Sequence, residues 1–364
     1  MSVSALMARE IDDGISARHQ PPAGLHRSDV YGPGYRRAGS GPGFAYLGPD
    51  GQEVSDPAEL RRIRALVIPP AWRDVWISPD PIGHIQATGL DGRGRRQYRY
   101  HKLWRAERDA EKFGHALVFA SALPQLRAVV AEHLARTPLD RDRVAACAIR
   151  VTELGLFRIG SERYAREDHT YGAASLERRH LTFRGGQAVF DYTAKEGKRR
   201  TVRIADPPAV HTLRALHALP APATPPHLFV YQTGQRWRHL TTGELVTYLH
   251  QHAGSGFTVK EFRTWNATLL AALALSNAAP AQSLRARRRA TAAAVRQAAG
   301  WLGDTPSVTR GSYIDPAVLQ LYETCGTIGG LHPTAIQLPA DPGAEREVLR
   351  VLLDYHAAAE TEPR

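Results

Sequence analysis

Residues 179–204, RHLTFRGGQAVFDYTAKEGKRRTVRI, alternate apolar and polar side chains and contain two turn segments, at residues 185–186 and 195–198. Alternation with a period of two indicates strands that bury one face, and glycine in short connections is typical of tight antiparallel turns. The stretch therefore predicts a three-stranded antiparallel meander. Segments with helical periodicity flank it on both sides, so the surrounding domain is predicted to be mostly α-helical with one small sheet.

The segment upstream, residues 31–107, carries mainly strand and turn signals. Two hairpins are predicted, with residues 50–51 and 91–92 in their turns, because aspartate followed by glycine favours the short turns that join antiparallel strands. Between them, residues 56–72 predict a short amphipathic helix stopped by two prolines. The predicted fold class is α+β: a small β-rich N-terminal domain followed by a larger, mostly helical domain with a three-stranded antiparallel sheet.

Four segments are expected along the chain. Residues 1–30 show little periodicity and predict a mobile N-terminal arm ahead of the β-rich domain at residues 31–107. The larger domain is placed at residues 108–326, because the helical pattern begins just before it and continues to its end. Residues 327–364 contain one further helical pattern and form a C-terminal extension.

The chain has 364 residues and a net charge of +11, from 47 Lys and Arg against 36 acidic residues. This excess favours a polyanionic partner, nucleic acid above all, with a solvated basic surface as the alternative. Cys147 and Cys325 do not form a metal-ligand spacing, which argues against a zinc site and a disulfide scaffold and fits a reducing cytoplasm. No apolar run approaches the length of a membrane span and no signal peptide is evident, so an intracellular protein without a membrane partner is expected.

Four side chains suggest chemistry on a phosphodiester: Arg158, Lys195, Arg263 and Tyr313. Tyr313 would be the nucleophile, the two arginines would bind the charged non-bridging oxygens, and Lys195 would protonate the departing sugar oxygen. Taken singly, each has a structural explanation: a salt bridge at a helix end, a solvated turn, a packed phenol. The sequence contains neither a carboxylate cluster typical of Mg²⁺ sites nor a Walker-type loop, so neither a metal nor ATP is expected as a cofactor.

This ordered set resembles the catalytic residues of the small type IB DNA topoisomerases, the bacterial and poxvirus-type enzymes. The resemblance runs from about residue 31 to residue 322, and residues 62–101, RIRALVIPPAWRDVWISPDPIGHIQATGLDGRGRRQYRYH, are very similar to that family's N-terminal domain. It implies a clamp around duplex DNA, cleavage of one strand through a 3′-phosphotyrosyl link, rotation of the free end and religation without ATP. It also implies a monomer, since one tyrosine cuts one strand, and a cytoplasmic, nucleoid-associated location.

Asp304, nine residues before Tyr313, departs from the family pattern, which has histidine or asparagine there. Those residues donate a hydrogen bond to a non-bridging oxygen, whereas an ionised carboxylate only accepts and would repel the phosphate. Three interpretations are open: Asp304 caps the short helix entered at Thr305, it orients one of the arginines, or it marks a slower enzyme. The sequence favours capping combined with slower cleavage.

Further DNA contacts are predicted at positions that match DNA-contacting residues of the family. Alternatives for these residues are a plain strand with alternating tyrosines and a solvated helix. The predicted DNA-binding residues are Gln97, Tyr98, Tyr100, Tyr164 and Lys260.

Two other functions fit parts of the same pattern. A tyrosine recombinase would use the same chemistry, but recombinases typically carry histidine where this chain has Lys260, three residues before Arg263. A non-catalytic or weakly active DNA-binding homologue would account for Asp304, although sequence drift has no reason to spare the four catalytic side chains.

Overall fold

The computed structural model describes residues 20–40, 43–220 and 226–361. The chain divides into two compact units, Met1–Lys112 and Phe113–Arg364. Residues 1–19 of the predicted N-terminal arm lie outside the described residues. Residues 20–30 of that arm are held against the first unit, where the backbone of His26 pairs with Ile82 and His84 and buries Leu25.

The first unit is built on a five-stranded antiparallel sheet with the order β2-β1-β3-β4-β5. One helix, α1, packs on it, and its Ile63 joins Val75, Ile77 and Ala87 in a small apolar core. The elements are β1 (Tyr35–Ser40), β2 (Gly43–Leu47), α1 (Pro57–Ala65), β3 (Arg73–Ile77), β4 (Ile85–Leu90) and β5 (Arg96–Tyr100).

The local signals in this unit act largely as predicted. Asp91 closes the β4–β5 hairpin by accepting hydrogen bonds from the backbone of Arg93 and Arg95. Asp56 caps α1 and Pro57 begins it. The other predicted hairpin is short: one bridge joins Leu47 and Glu53, and Gly48 donates to the carbonyl of Gln52 at 2.7 Å.

The second unit is mostly helical and contains the predicted three-stranded sheet, in the order β6-β7-β8. The fold class predicted from the sequence is thus confirmed. The elements are α2 (Lys102–Leu134, beginning in the first unit), α3 (Arg141–Gly155), α4 (Glu162–Glu167), β6 (Leu181–Arg184), β7 (Gln187–Thr193), β8 (Arg199–Ile204), α5 (Pro207–His217), β9 (Val230–Thr233), β10 (Arg236–His239), α6 (Thr242–Ala253), α7 (Val259–Ser276), α8 (Leu284–Leu302), α9 (Pro306–Ser312), α10 (Pro316–Cys325) and α11 (Pro342–Thr361).

The core of this unit surrounds α3 and α7, which are buried over most of their length. The C-terminal helix α11 belongs to the same core, since Val348 and Leu352 are fully buried. Its Glu345 accepts hydrogen bonds from the Trp265 indole (2.8 Å) and from both terminal nitrogens of Arg127 (2.6 and 3.1 Å). Residues beyond the predicted domain end at 326 therefore help to hold α7 in place.

Two features differ from expectation. The β9–β10 hairpin, joined through Gly234 in a left-handed conformation, was not predicted. By length and composition α2 is apolar enough to cross a membrane, contrary to the expectation that no segment approaches this length. Its apolar side chains, among them Phe119, Leu123 and Leu126, lie in the core of the second unit, which accounts for its composition.

Candidate active site

Arg158 lies in an extended segment just after α3. The helix ends at Gly155, and Leu156 adopts a left-handed conformation with φ of 51°. A Cβ atom at Gly155 would lie 2.2 Å from the Phe157 ring, so glycine is what lets the chain fold back at this point. The helical pattern of residues 143–166 predicts one long helix that runs to a break at Gly160, with Arg158 at its C-terminal end, and this prediction is wrong.

Two other arginines bind the carbonyl groups that the end of α3 leaves free. Arg200, on β8, donates to the carbonyl oxygens of Gly155 (2.8 Å) and Leu156 (3.0 Å). Arg263 also donates to the Leu156 oxygen. The turn that leads into Arg158 is thus fixed by cations on β8 and α7.

The backbone of Arg158 is fixed on its other side by the segment after α4. The amides of Ala173 and Ala174 donate to the carbonyl oxygens of Arg158 and Ile159, both at 2.8 Å. Close backbone approach makes this possible, since a Cβ atom on Gly172 would lie 2.4 Å from the amide nitrogen of Gly160. Arg158 consequently has a rigid main chain and a half-exposed side chain.

Arg263 lies on the first turns of α7 and is only 2% exposed. Besides the Leu156 carbonyl, its guanidinium donates to the carbonyl of Leu302 (3.3 Å) at the end of α8. Its central carbon lies 4.9 Å from the centre of the Tyr313 ring. Burial lowers the pKa of Arg263, but a guanidinium remains charged under physiological conditions.

Tyr313 is the residue at which α9 ends, and it is 6% exposed. Its hydroxyl oxygen accepts a hydrogen bond from a terminal nitrogen of Arg158 at 3.1 Å. Thr268 on α7 holds the adjoining backbone: its hydroxyl donates to the Tyr313 carbonyl (3.3 Å) and accepts from the amide of Asp315 (2.9 Å). The Tyr313 oxygen, the predicted nucleophile, therefore lies beside one of the two predicted catalytic arginines.

The residues after Tyr313 begin α10. Asp315 is the N-cap, accepting from the Ala317 amide, and Pro316 occupies the first turn. The second carboxylate oxygen of Asp315 contacts Nε2 of His356 on α11 at 2.8 Å. The C-terminal helix thus supports the chain two residues from the nucleophile.

The electrostatics of the site favour the phenolate of Tyr313. Burial alone would raise the pKa of the phenol, but the positive charges of Arg263 and Arg158 outweigh burial and lower it below its usual range. The pKa of Arg158 is raised, because Tyr313 and Asp304 stabilise its charge by more than burial opposes it. Two cations thus stabilise the deprotonated form of this phenol.

Asp304 binds both arginines. Its Oδ1 and Oδ2 accept from one nitrogen of Arg158 (2.9 and 3.0 Å), and Oδ2 also accepts from Arg263 at 2.6 Å. The expectation that Asp304 caps α9 is wrong, because the hydroxyl of Thr305 takes that role by accepting from the Val308 amide. The interpretation in which Asp304 orients the arginines agrees with the geometry.

Lys195 occupies the turn between β7 and β8, as predicted, and is exposed. The turn is well defined: Glu196 and Gly197 have φ of 67° and 72°, and the amide of Ala194 donates to the carbonyl of Lys198 at 2.7 Å. Lys195 lines one pocket with Arg158 and Asp304. The structure therefore brings all five predicted catalytic positions around one site.

The predicted DNA-binding residues lie on three elements, β5, α4 and the start of α7. On β5, the rings of Tyr98 and Tyr100 stack with centres 5.8 Å apart, whereas Gln97 points to the opposite face and donates to Asp91 at 3.0 Å. Tyr164 on α4 is 56% exposed. Lys260 is exposed at the start of α7.

Sequence reasoning missed several residues that position the site. Arg200 and Thr268 carried no motif, because their partners are backbone atoms from distant segments. His356 lies in the C-terminal extension, to which no role was assigned. The sequence did contain a signal for Arg200, because it lies on the strand that follows the turn of Lys195.

Sequence comparison identifies families and proteins that are similar to this chain. The family described as eukaryotic DNA topoisomerase I, catalytic core, matches residues 101–325, and the family described as bacterial DNA topoisomerase IB, N-terminal domain, matches residues 43–91. DNA topoisomerase 1B of Acanthamoeba polyphaga mimivirus is 29% identical over 294 residues, covering 80% of this chain and 88% of the viral protein. DNA topoisomerase I of Monkeypox virus and DNA topoisomerase 1B of Vaccinia virus (strain Copenhagen) are each 20% identical over 242 residues, covering 65% of this chain and 72% of theirs.

Proposed function

The chain belongs to the type IB DNA topoisomerase family, and from this premise we propose that it relaxes supercoiled DNA through a transient covalent link between Tyr313 and a DNA phosphate. It is a DNA-binding isomerase. One observation carries the assignment of the nucleophile: the Tyr313 hydroxyl lies 3.1 Å from the Arg158 guanidinium while Arg263 covers its ring. These two cations account for the lowered pKa of the Tyr313 phenol.

In the proposed reaction the Tyr313 oxygen attacks the phosphorus and its proton passes to water. The bond from phosphorus to the 5′ oxygen of the next nucleotide breaks, which leaves a 3′-phosphotyrosyl ester. Negative charge collects on the two non-bridging oxygens during this step. Arg158 and Arg263 are the cations proposed to bind those oxygens. Backbone carbonyls hold the guanidinium of Arg263, and a hydrogen bond from Ala173 holds the main chain of Arg158, so little reorganisation is required.

Lys195 is proposed as the general acid. The leaving 5′ oxygen needs a proton, and an ammonium on an exposed turn beside Arg158 can reach it from the solvent side of the pocket. Religation is the reverse: the 5′ hydroxyl returns its proton and displaces Tyr313. Because the ester conserves the energy of the cut bond, the cycle needs no ATP, and because the arginines supply the positive charge, it needs no metal.

We also propose that the half-buried rings of Tyr98 and Tyr100 and the exposed side chains of Tyr164 and Lys260 contact the duplex. The net charge of +11 favours binding that weakens steeply with salt. A monomer is sufficient, since one Tyr313 cuts one strand. A bacterial cytoplasmic location on the nucleoid remains a proposal.

The test is relaxation of negatively supercoiled plasmid in EDTA and without ATP, comparing the wild type with Tyr313→Phe. Relaxation by the wild type alone, with a protein–DNA adduct trapped by denaturant, supports the proposal. A wild type that requires Mg²⁺ or ATP, or an active Tyr313→Phe variant, refutes it. Lys260→Ala is a matched control, because it alters a predicted DNA contact outside the cluster and should weaken binding without abolishing the adduct.

One observation favours a second candidate, a weakly active DNA-binding homologue. The Asp304 carboxylate already binds the guanidinium groups that the phosphate needs. If the wild type binds plasmid tightly in a salt-dependent way but neither relaxes it nor forms an adduct, this candidate replaces the first.

A further inference from the structure

A second cluster of reactive side chains lies outside the site of Tyr313. Glu162, the first residue of α4, faces His227 and His239, and the described residues contain no other group of three or more His, Cys, Asp or Glu residues with ligand atoms this close together. Glu162 Oε2 is 3.1 Å from His227 Nε2, and Oε1 is 3.7 Å from His239 Nδ1. The two imidazole rings stack with centres 3.7 Å apart and an interplanar angle of 17°.

The hydrogen bonds of His239 determine which of its nitrogens is available. Nε2 lies 2.8 Å from the carbonyl oxygen of Ala174, which only accepts, so Nε2 carries the hydrogen. In the neutral ring the lone pair is then on Nδ1, which faces the Glu162 carboxylate at a distance too long for a hydrogen bond. Two acceptors facing each other repel unless a positive charge lies between them.

Protonation of both histidine rings is an unfavourable way to supply that positive charge. Two imidazolium rings stacked at 3.7 Å would repel each other strongly, because both positive charges would lie within van der Waals contact. One charged and one neutral ring avoid this repulsion, but the Nδ1 lone pair of a neutral His239 then still faces the carboxylate. A single divalent cation would satisfy all three ligand atoms at once.

We propose that Glu162, His227 and His239 form a binding site for a divalent transition-metal ion, with Zn²⁺ as the favoured occupant. Two imidazoles and one carboxylate are a donor set that zinc accepts, with the fourth position open to water. Tetrahedral zinc places its ligand atoms about 3.3 Å apart, and the ligand atoms of these residues lie within 4.8 Å of one another, so rotation of the stacked rings would bring them to one ion. The Ala174 carbonyl supplies the outer hydrogen bond that ligating histidines usually make.

The ion would join α4 to the β9–β10 hairpin. Glu162 follows the Ser161 cap, and the preceding Gly160 carbonyl already accepts a hydrogen bond from Thr242 at the start of α6. Metal binding is therefore expected to stiffen the segment that carries Tyr164. The ligands are not shared with the pocket of Tyr313, so the proposal is separate from metal-independent relaxation.

The experiment uses the full chain without a histidine tag, stripped with EDTA and dialysed. Titration calorimetry with ZnCl₂ is expected to give one ion per chain, and Co²⁺ is expected to give the visible absorption of a tetrahedral site. His239→Gln and Glu162→Gln are each expected to lower the affinity by about 100-fold or more. Excess Zn²⁺ should raise the midpoint of thermal unfolding of the wild type and leave that of His239→Gln unchanged.

His211→Gln is the matched control, because His211 is an exposed histidine on α5 outside the cluster. It is expected to keep both the stoichiometry and the affinity of the wild type. The proposal is overturned if the wild type binds no Zn²⁺, or if His211→Gln loses as much affinity as His239→Gln. Unfolding curves of the metal-free variants show whether each is folded, and if His239→Gln is not, Glu162→Gln at the helix start decides.

Discussion

Replacing Asp304 by asparagine is expected to speed DNA cleavage while making the protein less stable. The carboxylate accepts hydrogen bonds from Arg158 and Arg263, the same groups that are proposed to bind the phosphate. An approaching phosphate therefore meets a like charge that already occupies its partners. Asparagine keeps one oxygen that can accept from an arginine and adds an amide that can donate to a non-bridging oxygen.

The two effects can be estimated separately. A carboxylate and a phosphate about 4 Å apart repel by about 4 kcal/mol at the effective dielectric near a protein surface. Weaker orientation of the arginines offsets part of this, so a net gain of about 1.4 to 2.7 kcal/mol is expected, or roughly 10- to 100-fold in rate. The substitution replaces a charged acceptor of the two arginines by a neutral one, which should lower the free energy of unfolding by about 1 to 3 kcal/mol.

The assay is single-turnover cleavage with enzyme in excess. Cleavage sites are first mapped on an end-labelled restriction fragment by trapping the adduct with denaturant. A short duplex is then built so that the strand beyond the cut dissociates, which prevents religation. Rapid-quench sampling gives the rate of adduct formation for the wild type and for Asp304→Asn, and urea titration gives the stability of each.

Asp304→Ala separates charge removal from donor gain. It should fall between the other two proteins in cleavage rate and be the least stable, since it removes the charged partner of Arg263 and leaves that side chain its backbone carbonyl partners. An unchanged or slower rate for Asp304→Asn refutes the reasoning and would mean that orientation of the arginines outweighs competition with the phosphate.

Lys195→Ala should slow cleavage by about 10²- to 10⁴-fold. Its stability should change by no more than about 0.5 kcal/mol, because the side chain is exposed. A substrate with sulfur as the leaving atom should restore the cleavage rate, and failure of this rescue would exclude Lys195 as a general acid. Arg263→Ala should lose activity and about 3 to 5 kcal/mol of stability together, measured by relaxation and urea unfolding. Since the pKa of Tyr313 is lowered, the cleavage rate should rise with pH and level off below pH 10. Ultraviolet difference titration against Tyr313→Phe should show the phenolate forming at the same midpoint. A midpoint at or above pH 10 contradicts stabilisation of the phenolate by the two arginines. Glu345→Gln should lower the free energy of unfolding in urea by about 1 to 3 kcal/mol, because Arg127 loses one charged acceptor but keeps its ion pair with Glu153. Relaxation at low temperature should stay intact, so loss of activity without loss of stability would argue against a structural role.

Much of the fold followed from local signals. The meander of residues 179–204 and the hairpin at Asp91 could be predicted because their turns and alternating faces are encoded within a few residues. The β9–β10 hairpin was missed because each strand has only four residues, too few for alternation to be recognised. The early end of α3 was missed because it depends on the packing of Phe157 against Gly155, which periodicity does not describe.

The candidate site divides in a similar way. Residue types suited to phosphoryl chemistry could be picked out of the sequence, and the family resemblance put them in order. Their supports could not be found, because Arg200 and Thr268 act through backbone carbonyls and amides of remote segments. The position of Asp304 was misjudged for a local reason: Thr305 is an equally good cap, and only the folded chain shows which of the two takes the role.

The burial of Arg263 affects how sequences related to this one can lose their activity. Its guanidinium closes the ends of two helices through Leu156 and Leu302, so a descendant released from selection for catalysis would still need it to fold. Its presence in a sequence is consequently weak evidence of an active enzyme. Lys195 is exposed, and backbone hydrogen bonds hold the turn around it, so selection on folding does not preserve its side chain. Among related sequences that have lost catalytic activity, replacement of this lysine should be the first change to appear.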